Sequence, residues 1–556
     1  MRTKLGRALL SALSLAVTLS ARQPVRSRHG MVVAQEPLAA DVGRAVLESG
    51  GNAIDAAVAV GFALAVTYPY AGNIGGGGFL IARFADGRTT FIDFREKAPM
   101  RATRDMYLDA QGKVTQDSVT GWRAAGVPGT VRGLELAHQK YGRKPWADLL
   151  NPAIRMASTG FPVSYSMEQS LESEKTRLAQ FPDSKRIFLS ARYGDKLIQP
   201  ELAATLQRIR DHGPSDFYQG ETARKLAAAM AANGGQITLD DLKSYQAIER
   251  QPLRGRYHDY EIVTAPPPSA GGVGILQMLG MLEGSGYEKS GAGSAASIHY
   301  VAEVMRRFNA DRSEYFGDPD FVPVPVKKLL DPGYIASRRR SIDPQHATPS
   351  AQIRPGLAAV HESTETTHFS IIDSEGNAVA VTYTLNAGYG SAVTVPGLGF
   401  LLNDEMDDFA AKPGSENMFH LIQGEANAIQ PAKRPLSSMT PTILVRGNKP
   451  FLVLGAPGGS RIPNGVLEVM LNVVDFHMNV QEAVDWPRFH HQWMPDVLYV
   501  EQGISPDTIA ALRAMGHQVS QFPSGQGVAR VEAILNEDGW LEGAADGRGN
   551  AKAQGY

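Results

Sequence analysis

A threonine that opens a β-rich run straight after a polar, proline-bearing stretch stands where cutting the chain would turn it into an N-terminal nucleophile. In Thr366-Thr367-His368-Phe369-Ser370 the cut residue would carry a hydroxyl and a free α-amine together. Such an amine has an unperturbed pKa of about 7.7 to 8.0, so near neutral pH it accepts the proton of its own hydroxyl. Thr366 would then be nucleophile and base in one residue. Taken alone, a Thr-Thr pair at a strand start equally reflects β-propensity. His368 is a tempting base, but the amine already fills that role, and a structural histidine is the expected reading.

Three further runs bear chemistry or imitate it. Asn403-Asp404-Glu405-Met406-Asp407-Asp408 reads by itself as a solvated acidic loop, and it lacks the glycine turn and terminal Glu of an EF-hand calcium loop. Gly75 to Gly78 resembles a phosphate loop only in glycine content. No Gly-Lys-Ser/Thr and no helix start follow, so tight packing near a site is expected instead. Gly458-Gly459 is by itself a turn.

The elements around these residues are legible. Ala39 to Thr67 reads as two helices broken at Gly50-Gly51, with Asn52 capping a second helix that is apolar on nearly every side and therefore buried. It feeds a hairpin, FLIARF and TTFIDF, across Asp86-Gly87. Thr130 to Leu330 is mostly helical in periodicity, broken by loops such as Ala265 to Gly272. Arg338 to Glu365, with three prolines, reads as an exposed connector. The runs flanking Ser374-Glu375-Gly376-Asn377 form a hairpin in which paired residue numbers sum to about 750, which sets Thr366 opposite Thr384 with Asn386 further along the same face.

Composition narrows the classes. The 556 residues carry 57 acidic against 55 basic side chains, which removes the positive field that nucleic-acid binding needs. Cysteine is absent, which excludes disulfides, thiolate metal sites and a Cys nucleophile. Arg2, Lys4 and Arg7 precede an apolar run from Ala8 to Ala21, the pattern of a secretory signal peptide ending near residue 21. No later segment reaches about 18 uninterrupted apolar residues, so no stable membrane span is expected and the mature protein is placed in the periplasm or secreted.

The words TTHFS, TYTLN, LLNDEMDDF, KRPLSSMTPT, GAPGGSR, AGNIGGGGF and DFREKAP together resemble the γ-glutamyltranspeptidases, in family order and over nearly the whole mature chain. The resemblance implies an α+β fold of the N-terminal nucleophile hydrolase type, a four-layer αββα sandwich of stacked antiparallel sheets built jointly by two subunits. It also implies a precursor that cuts itself between Glu365 and Thr366, giving a large subunit (22–365) and a small one (366–556) that remain a heterodimer. Thr366 would attack first the Glu365 carbonyl and later the substrate, with Thr384 orienting it. The implied substrates are glutathione and other γ-glutamyl compounds, with amino acids, dipeptides or water as acceptors. Arg95, Ser437 and Ser438 would hold the α-carboxylate, a bidentate task Lys cannot reproduce. Asn386, Glu405 and Asp408 would accept from the α-ammonium. Gly458 and Gly459 would turn backbone N–H groups to the oxyanion. No metal or organic cofactor is implied.

Two positions vary from the family pattern. Glu405 stands where Glu or Gln occurs, and Phe419 stands where a tyrosine is common in the lid segment from Pro413 to Lys433, which removes a hydroxyl that could latch the lid. Two rival readings are a glutaryl (cephalosporin) acylase of the same superfamily and an uncleaved exported γ-glutamyl-binding protein. Asp408 argues against the first, because a glutaryl chain has no ammonium to pair with it. Intact Thr366 and Thr384 argue against the second.

Overall fold

A computed structural model describes residues 22–354, 365–412 and 424–556. The signal segment, the last residues before Glu365 and the part of the lid holding Phe419 lie outside them. Among the described residues, no helix is long and apolar enough to cross a membrane.

Two seven-stranded antiparallel sheets form the centre. Edge to edge, one runs Lys552–Gly555, Met31–Ala34, Glu365–Ile372, Ala378–Asn386, Gly77–Arg83, Thr89–Asp93, Ile248–Arg250. The other runs Val25–Ser27, Trp540–Ala544, Glu532–Glu537, Lys449–Gly455, Thr442–Arg446, Tyr260–Thr264, Leu253–Tyr257. Alternation sorts their side chains. Phe369 and Ile371 face an outer layer built on the helices Pro37–Glu48 and Ala53–Thr67, whereas Ile372, Ala378 and Ala380 pack toward the second sheet. Helices Gly271–Leu282 and Ile462–Val474 close the far side. The result is the expected αββα sandwich.

Local chemistry explains the pieces. The helix Ala53–Thr67 begins where the Asn52 side chain accepts from Asp55 N–H (2.9 Å) and the Asp55 carboxylate accepts from Asn52 N–H (3.0 Å). Every residue of that helix is buried. The region from Thr130 to Leu330 is mostly helical as expected, but it also holds the strands Ile248–Arg250, Leu253–Tyr257 and Tyr260–Thr264, which supply one edge of each sheet, and the short pair Phe161–Pro162 with Lys196–Leu197. The connector is mostly exposed up to Arg354, yet Ser350 and Ile353 are buried, and Trp493 Nε1 donates to both of their carbonyls.

Both sheets combine strands from before Glu365 with strands that follow it. The strand Glu365–Ile372 pairs with Met31–Ala34, and its hairpin partner pairs with Gly77–Arg83. A cut before Thr366 therefore breaks one covalent bond while leaving these ladders to hold the halves together.

Candidate active site

The hairpin register is a sum of 750 from Thr367↔Tyr383 to Ile372↔Ala378. It then slips at a β-bulge, so that Glu365 pairs with Asn386, and Thr366 sits inside the bulge. Thr366 therefore faces two residues, Thr384 and Leu385, in place of the expected one-to-one pairing with Thr384. Bulges twist a strand and re-aim a side chain, and here the extra residue stands opposite Thr366. Both hydroxyls still line one small cavity.

That cavity gathers residues from five separate parts of the chain. Thr366, Thr384, Asn386, Arg95, Glu405, Asp408, Ser437, Ser438 and Gly459 all line it, with Met439 and Ile462 as its apolar part. Of the expected residues, Gly458, which immediately precedes Gly459, and Glu365 do not.

Thr384 is placed by close backbone packing. Its carbonyl accepts from Asn73 Nδ2 (2.8 Å), and Asn73 Oδ1 in turn accepts from Gly76 N–H (2.9 Å). A Cβ on Gly76 would stand 2.0 Å from that same carbonyl, so glycine is required there. The glycine run is thus a packing device beneath Thr384, as expected. Thr384 Oγ1 accepts from Asn386 N–H (2.8 Å), and Asn386 has φ +80°, which aims its amide across the strand end.

Arg95 follows the strand Thr89–Asp93 and is wholly buried. Its Nη2 donates to the Leu436 carbonyl (2.9 Å) and its Nε to that of Pro435 (3.3 Å), while Nη1 and Nη2 pair with Glu405 and Asp408. The guanidinium expected to take a carboxylate and the carboxylates expected to take an ammonium thus pair with one another. A zwitterion can exchange both ends of this pairing at once, leaving the net charge of the site unchanged.

The acidic run is no solvated loop. Glu405–Asp408 forms a buried 3-10 turn, tied down where Asn403 Nδ2 donates to the Gly75 and Gly126 carbonyls (both 2.8 Å). Burial pushes the Glu405 carboxyl well above its usual range, opposed by Arg95 and reinforced by Glu96 and Asp408. Asp407 points away, accepting from Ser118 Oγ (2.7 Å), and burial raises it to about 7. Ser438 Oγ accepts from Arg312 Nη2 (2.9 Å), and Ser437 Oγ from Met439 N–H (3.1 Å).

His368 is structural. Its ring nitrogens meet Thr382 Oγ1 (2.8 Å) and Ser370 Oγ (3.0 Å), and burial alone holds its pKa down at about 3. It also locates the glycine pair. The strand Lys449–Gly455 passes so close that a Cβ on Gly455 would stand 2.4 Å from His368 Cε1, and the loop that continues from it delivers Gly458 and Gly459 to the Thr366 end. Gly458 has φ +142° and Gly459 φ +58°, and the helix Ile462–Val474 begins just beyond them. Gly458 caps a 3-10 turn, Gly459–Arg461, that leads into this helix. Replacing Gly458 with Ala forces a Cβ to within 3.0 Å of the Val528 carbonyl. We expect Gly458→Ala to mature yet lose roughly 10²- to 10³-fold in kcat, the range for one lost oxyanion donor. Unaltered steady-state turnover in that variant would remove the turn from the chemistry.

Sequence reasoning missed Arg312, Asn73, Glu96 and Asp404. Asp404 Oδ1 accepts from Ala387 N–H (2.9 Å) and its backbone carbonyl from Asn386 Nδ2 (3.1 Å), so it sets the Asn386 bend. Glu96 is fully buried beside Arg95 (3.5 Å), with its pKa raised by burial. Glu96 and Asp404 adjoin predicted site residues, Asn73 precedes the Gly75–Gly78 run, and Arg312 lies on the helix Ala295–Tyr315. As for metals, His299, Glu303 and His517 lie close enough together to hold an ion, but Glu303 is already paired to Arg306 and Arg307, and none of the three lines the Thr366 cavity.

The family model described as Gamma-glutamyltranspeptidase matches residues 39–556. The chain is 48% identical over 532 residues to the glutathione hydrolase proenzyme of Escherichia coli (strain K12), covering 94% of this chain and 91% of that one. Its fold superposes on a cephalosporin acylase from Bacillus halodurans with TM-score 0.86 at 28% identity, covering 99% of each chain. A Helicobacter pylori γ-glutamyltranspeptidase structure matches with TM-score 0.57 at 46% identity, covering 58% of this chain and 94% of that one.

Proposed function

The chain belongs to the γ-glutamyltranspeptidase family, and from that premise we propose an autoprocessing γ-glutamyltransferase and glutathione hydrolase whose acyl-enzyme forms on Thr366. The observation that carries the proposal is the single cavity in which a bulged N-terminal-nucleophile candidate meets a guanidinium, two carboxylates and a glycine turn.

In the precursor, Thr366 Oγ attacks the Glu365 carbonyl, the amide becomes an ester, and water opens it to leave a free Thr366 amine. In the mature enzyme that amine takes the Thr366 hydroxyl proton as Oγ attacks the γ-carbonyl. The Gly458 and Gly459 N–H groups receive the oxyanion, and the ammonium returns its proton to the leaving amine. Water or an acceptor amine then opens the ester by the same steps in reverse. Arg95 and the two serines hold the α-carboxylate; Asn386, Glu405 and Asp408 hold the α-ammonium. The signal pattern of residues 1–21 supports export, to the periplasm or beyond.

The charge of the site separates this reading from the glutaryl acylase that the Bacillus halodurans likeness brings forward. Three buried carboxylates (Glu96, Glu405, Asp408) surround one guanidinium. A γ-glutamyl zwitterion adds no net charge, whereas a glutaryl group adds an uncompensated negative one. Asp408→Asn is expected to lower kcat/KM for γ-glutamyl anilides by at least about tenfold, the loss of one charge-assisted hydrogen bond, and to raise the glutaryl to γ-glutamyl ratio. Equal losses on both donors would contradict the ammonium assignment.

The pH dependence has a definite sign. The Thr366 amine acts only when unprotonated, and the Glu405 carboxyl, raised by burial, accepts from an ammonium only when ionised. Both favour higher pH. Hydrolytic kcat/KM should therefore climb from pH 5 toward a plateau above the amine pKa of about 8, with no inflection from His368. A profile that falls over this range would remove the amine as base. The proposal as a whole is tested by acid-quenching the enzyme during turnover of a γ-glutamyl anilide and mapping the acylated peptide: the acyl group should sit on Thr366, and acylation elsewhere would overturn the assignment.

A further inference from the structure

Ahead of Glu365, the connector from Asp343 to Arg354 is clasped by residues from both sides of the proposed cut. From before it, the helix Ala295–Tyr315 supplies His299, Glu303 and Arg306. His299 Nε2 donates to the Asp343 carbonyl (2.8 Å), Thr348 N–H donates to Glu303 Oε1 (3.1 Å), and Arg306 Nη1 donates to the Thr348 carbonyl. From after it, Asp496 Oδ2 accepts from Ser350 N–H (2.7 Å), and Trp493 Nε1 donates to the Ser350 and Ile353 carbonyls (both 2.9 Å). The two sides meet where Arg306 Nη2 pairs with Asp496 Oδ1 (3.2 Å). Glu303 and Arg306 are buried, so salt screens their pairing little. Trp493 has φ +71°, a conformation that a bulky residue keeps only where its surroundings hold it there. Such strain gathers at functional positions, yet Trp493 does not line the Thr366 cavity; what it holds is the connector. The clasp is near that cavity all the same. Arg306 lies about 9 Å along its helix from Arg312, which donates to Ser438 in the cavity wall (2.9 Å).

We infer that this clasp positions the Glu365 carbonyl for self-cleavage, with Trp493 and Asp496 as positioning residues for the cut and not for turnover. The inference rests on the reading of Thr366 as a self-processing nucleophile. In the positioned step Thr366 Oγ forms a bond to the Glu365 carbonyl carbon, the Glu365–Thr366 C–N bond breaks, and the hydroxyl proton passes to the departing nitrogen. Water then adds to that carbon and the C–Oγ bond breaks, which leaves a Glu365 carboxyl group and a Thr366 hydroxyl. The bond to be cut is held on its far side by the ladder that begins at Thr367. It needs a fixed point on its near side as well. The clasp puts one at Arg354, 11 residues back, whereas the helix Pro332–Arg340 ends 25 residues back. For a segment fixed at both ends, that shortening raises the chance of the reactive arrangement by about threefold through chain statistics alone. Fixing the direction from which the segment approaches adds to this, because a small misplacement of reacting atoms is costly.

The test follows the full chain, newly made by cell-free translation, on a denaturing gel as it converts to two polypeptides. Trp493→Phe keeps a ring and loses the Nε1 donor; Asp496→Asn keeps the shape and loses the charge. Each is expected to slow the cut by about tenfold or more, the scale of a modest misplacement. Once cut, each should keep kcat/KM for a γ-glutamyl anilide, counted per cut molecule, within about twofold of wild type, since neither residue lines the Thr366 cavity. The split between the two rates is the signature of positioning for cleavage. A cutting rate unchanged in both variants overturns the clasp. So does a parallel fall of cutting rate, per-molecule kcat/KM and thermal midpoint, which marks a merely structural contact. A wild type that never cuts, or that cuts elsewhere than before Thr366, overturns the self-processing reading and the clasp together.

Discussion

Thr366→Ala is expected to remain a single uncut chain with no measurable γ-glutamyl transfer, whereas Thr366→Ser cuts itself slowly and keeps a fraction of the activity. Alanine removes the hydroxyl that, on the proposed reading, attacks the Glu365 carbonyl. Without that cut, no free amine arises at residue 366, so nucleophile and base are lost together. Losses of such coupled groups do not add, and a fall of roughly 10⁴-fold or more, to the limit of detection, is the expected scale. The fold should survive. Thr366 lies within a bulge, outside the regular ladder that begins at Thr367, and the ladders to Met31–Ala34 and Gly77–Arg83 do not use its side chain. A folded, uncut and inactive Thr366→Ala is therefore the predicted result, with circular dichroism and a denaturing gel as the readouts. Cleavage in the alanine variant would show that another group does the cutting.

Arg95→Gln is expected to be the most damaging change among the binding residues. Removing the guanidinium leaves Glu96, Glu405 and Asp408 facing one another in a buried site, a situation that costs roughly 3 to 5 kcal/mol unless the carboxyls take up protons. Burial already pushes Glu96 and Glu405 upward, and Arg95 opposes that rise, so protonation is the easier response. The donor site then loses its fork for the α-carboxylate and weakens its acceptors for the α-ammonium. Breaking a buried hydrogen-bonded charge pair costs about 2 to 5 kcal/mol, or roughly 30- to several thousand-fold in kcat/KM for a γ-glutamyl anilide. The 4-aminobutyryl anilide separates the two effects, because it keeps the amine and lacks the carboxylate. It should lose much less than the γ-glutamyl donor. Equal losses would reduce Arg95 to a structural counter-ion of the acidic turn.

The local elements were legible because their signals are short-range. Asn52 with Asp55 three residues on gives a helix start, Asp86-Gly87 and Ser374 to Asn377 give turns, and the hairpin sum places most of the nucleophile ladder. What the sequence left hidden is set by packing between distant segments. The bulge opposite Thr366 puts one extra residue on the partner strand, which a hairpin sum fixed at the turn does not foresee; it appears where the strand ends at Asn386 with φ +80°. Leu253, Gly255 and Tyr257 alternate as a strand should, but a glycine at the centre and arginines between them blur that signal inside a helical region. Arg312 reads as the polar face of a helix. Only the fold reveals that this face is buried against Ser438. Within Asp404 to Asp408, residue type and spacing alone do not separate Glu405 and Asp408, which meet Arg95, from Asp407, which turns to Ser118; the family resemblance separates them.

The direct test of the central claim is the N-terminal sequence of the smaller polypeptide in purified wild-type protein. The account predicts two chains, the smaller beginning Thr-Thr-His-Phe and extending to Tyr556. A single intact chain that still hydrolyses γ-glutamyl anilides, or a smaller chain that begins at any other residue, would contradict it.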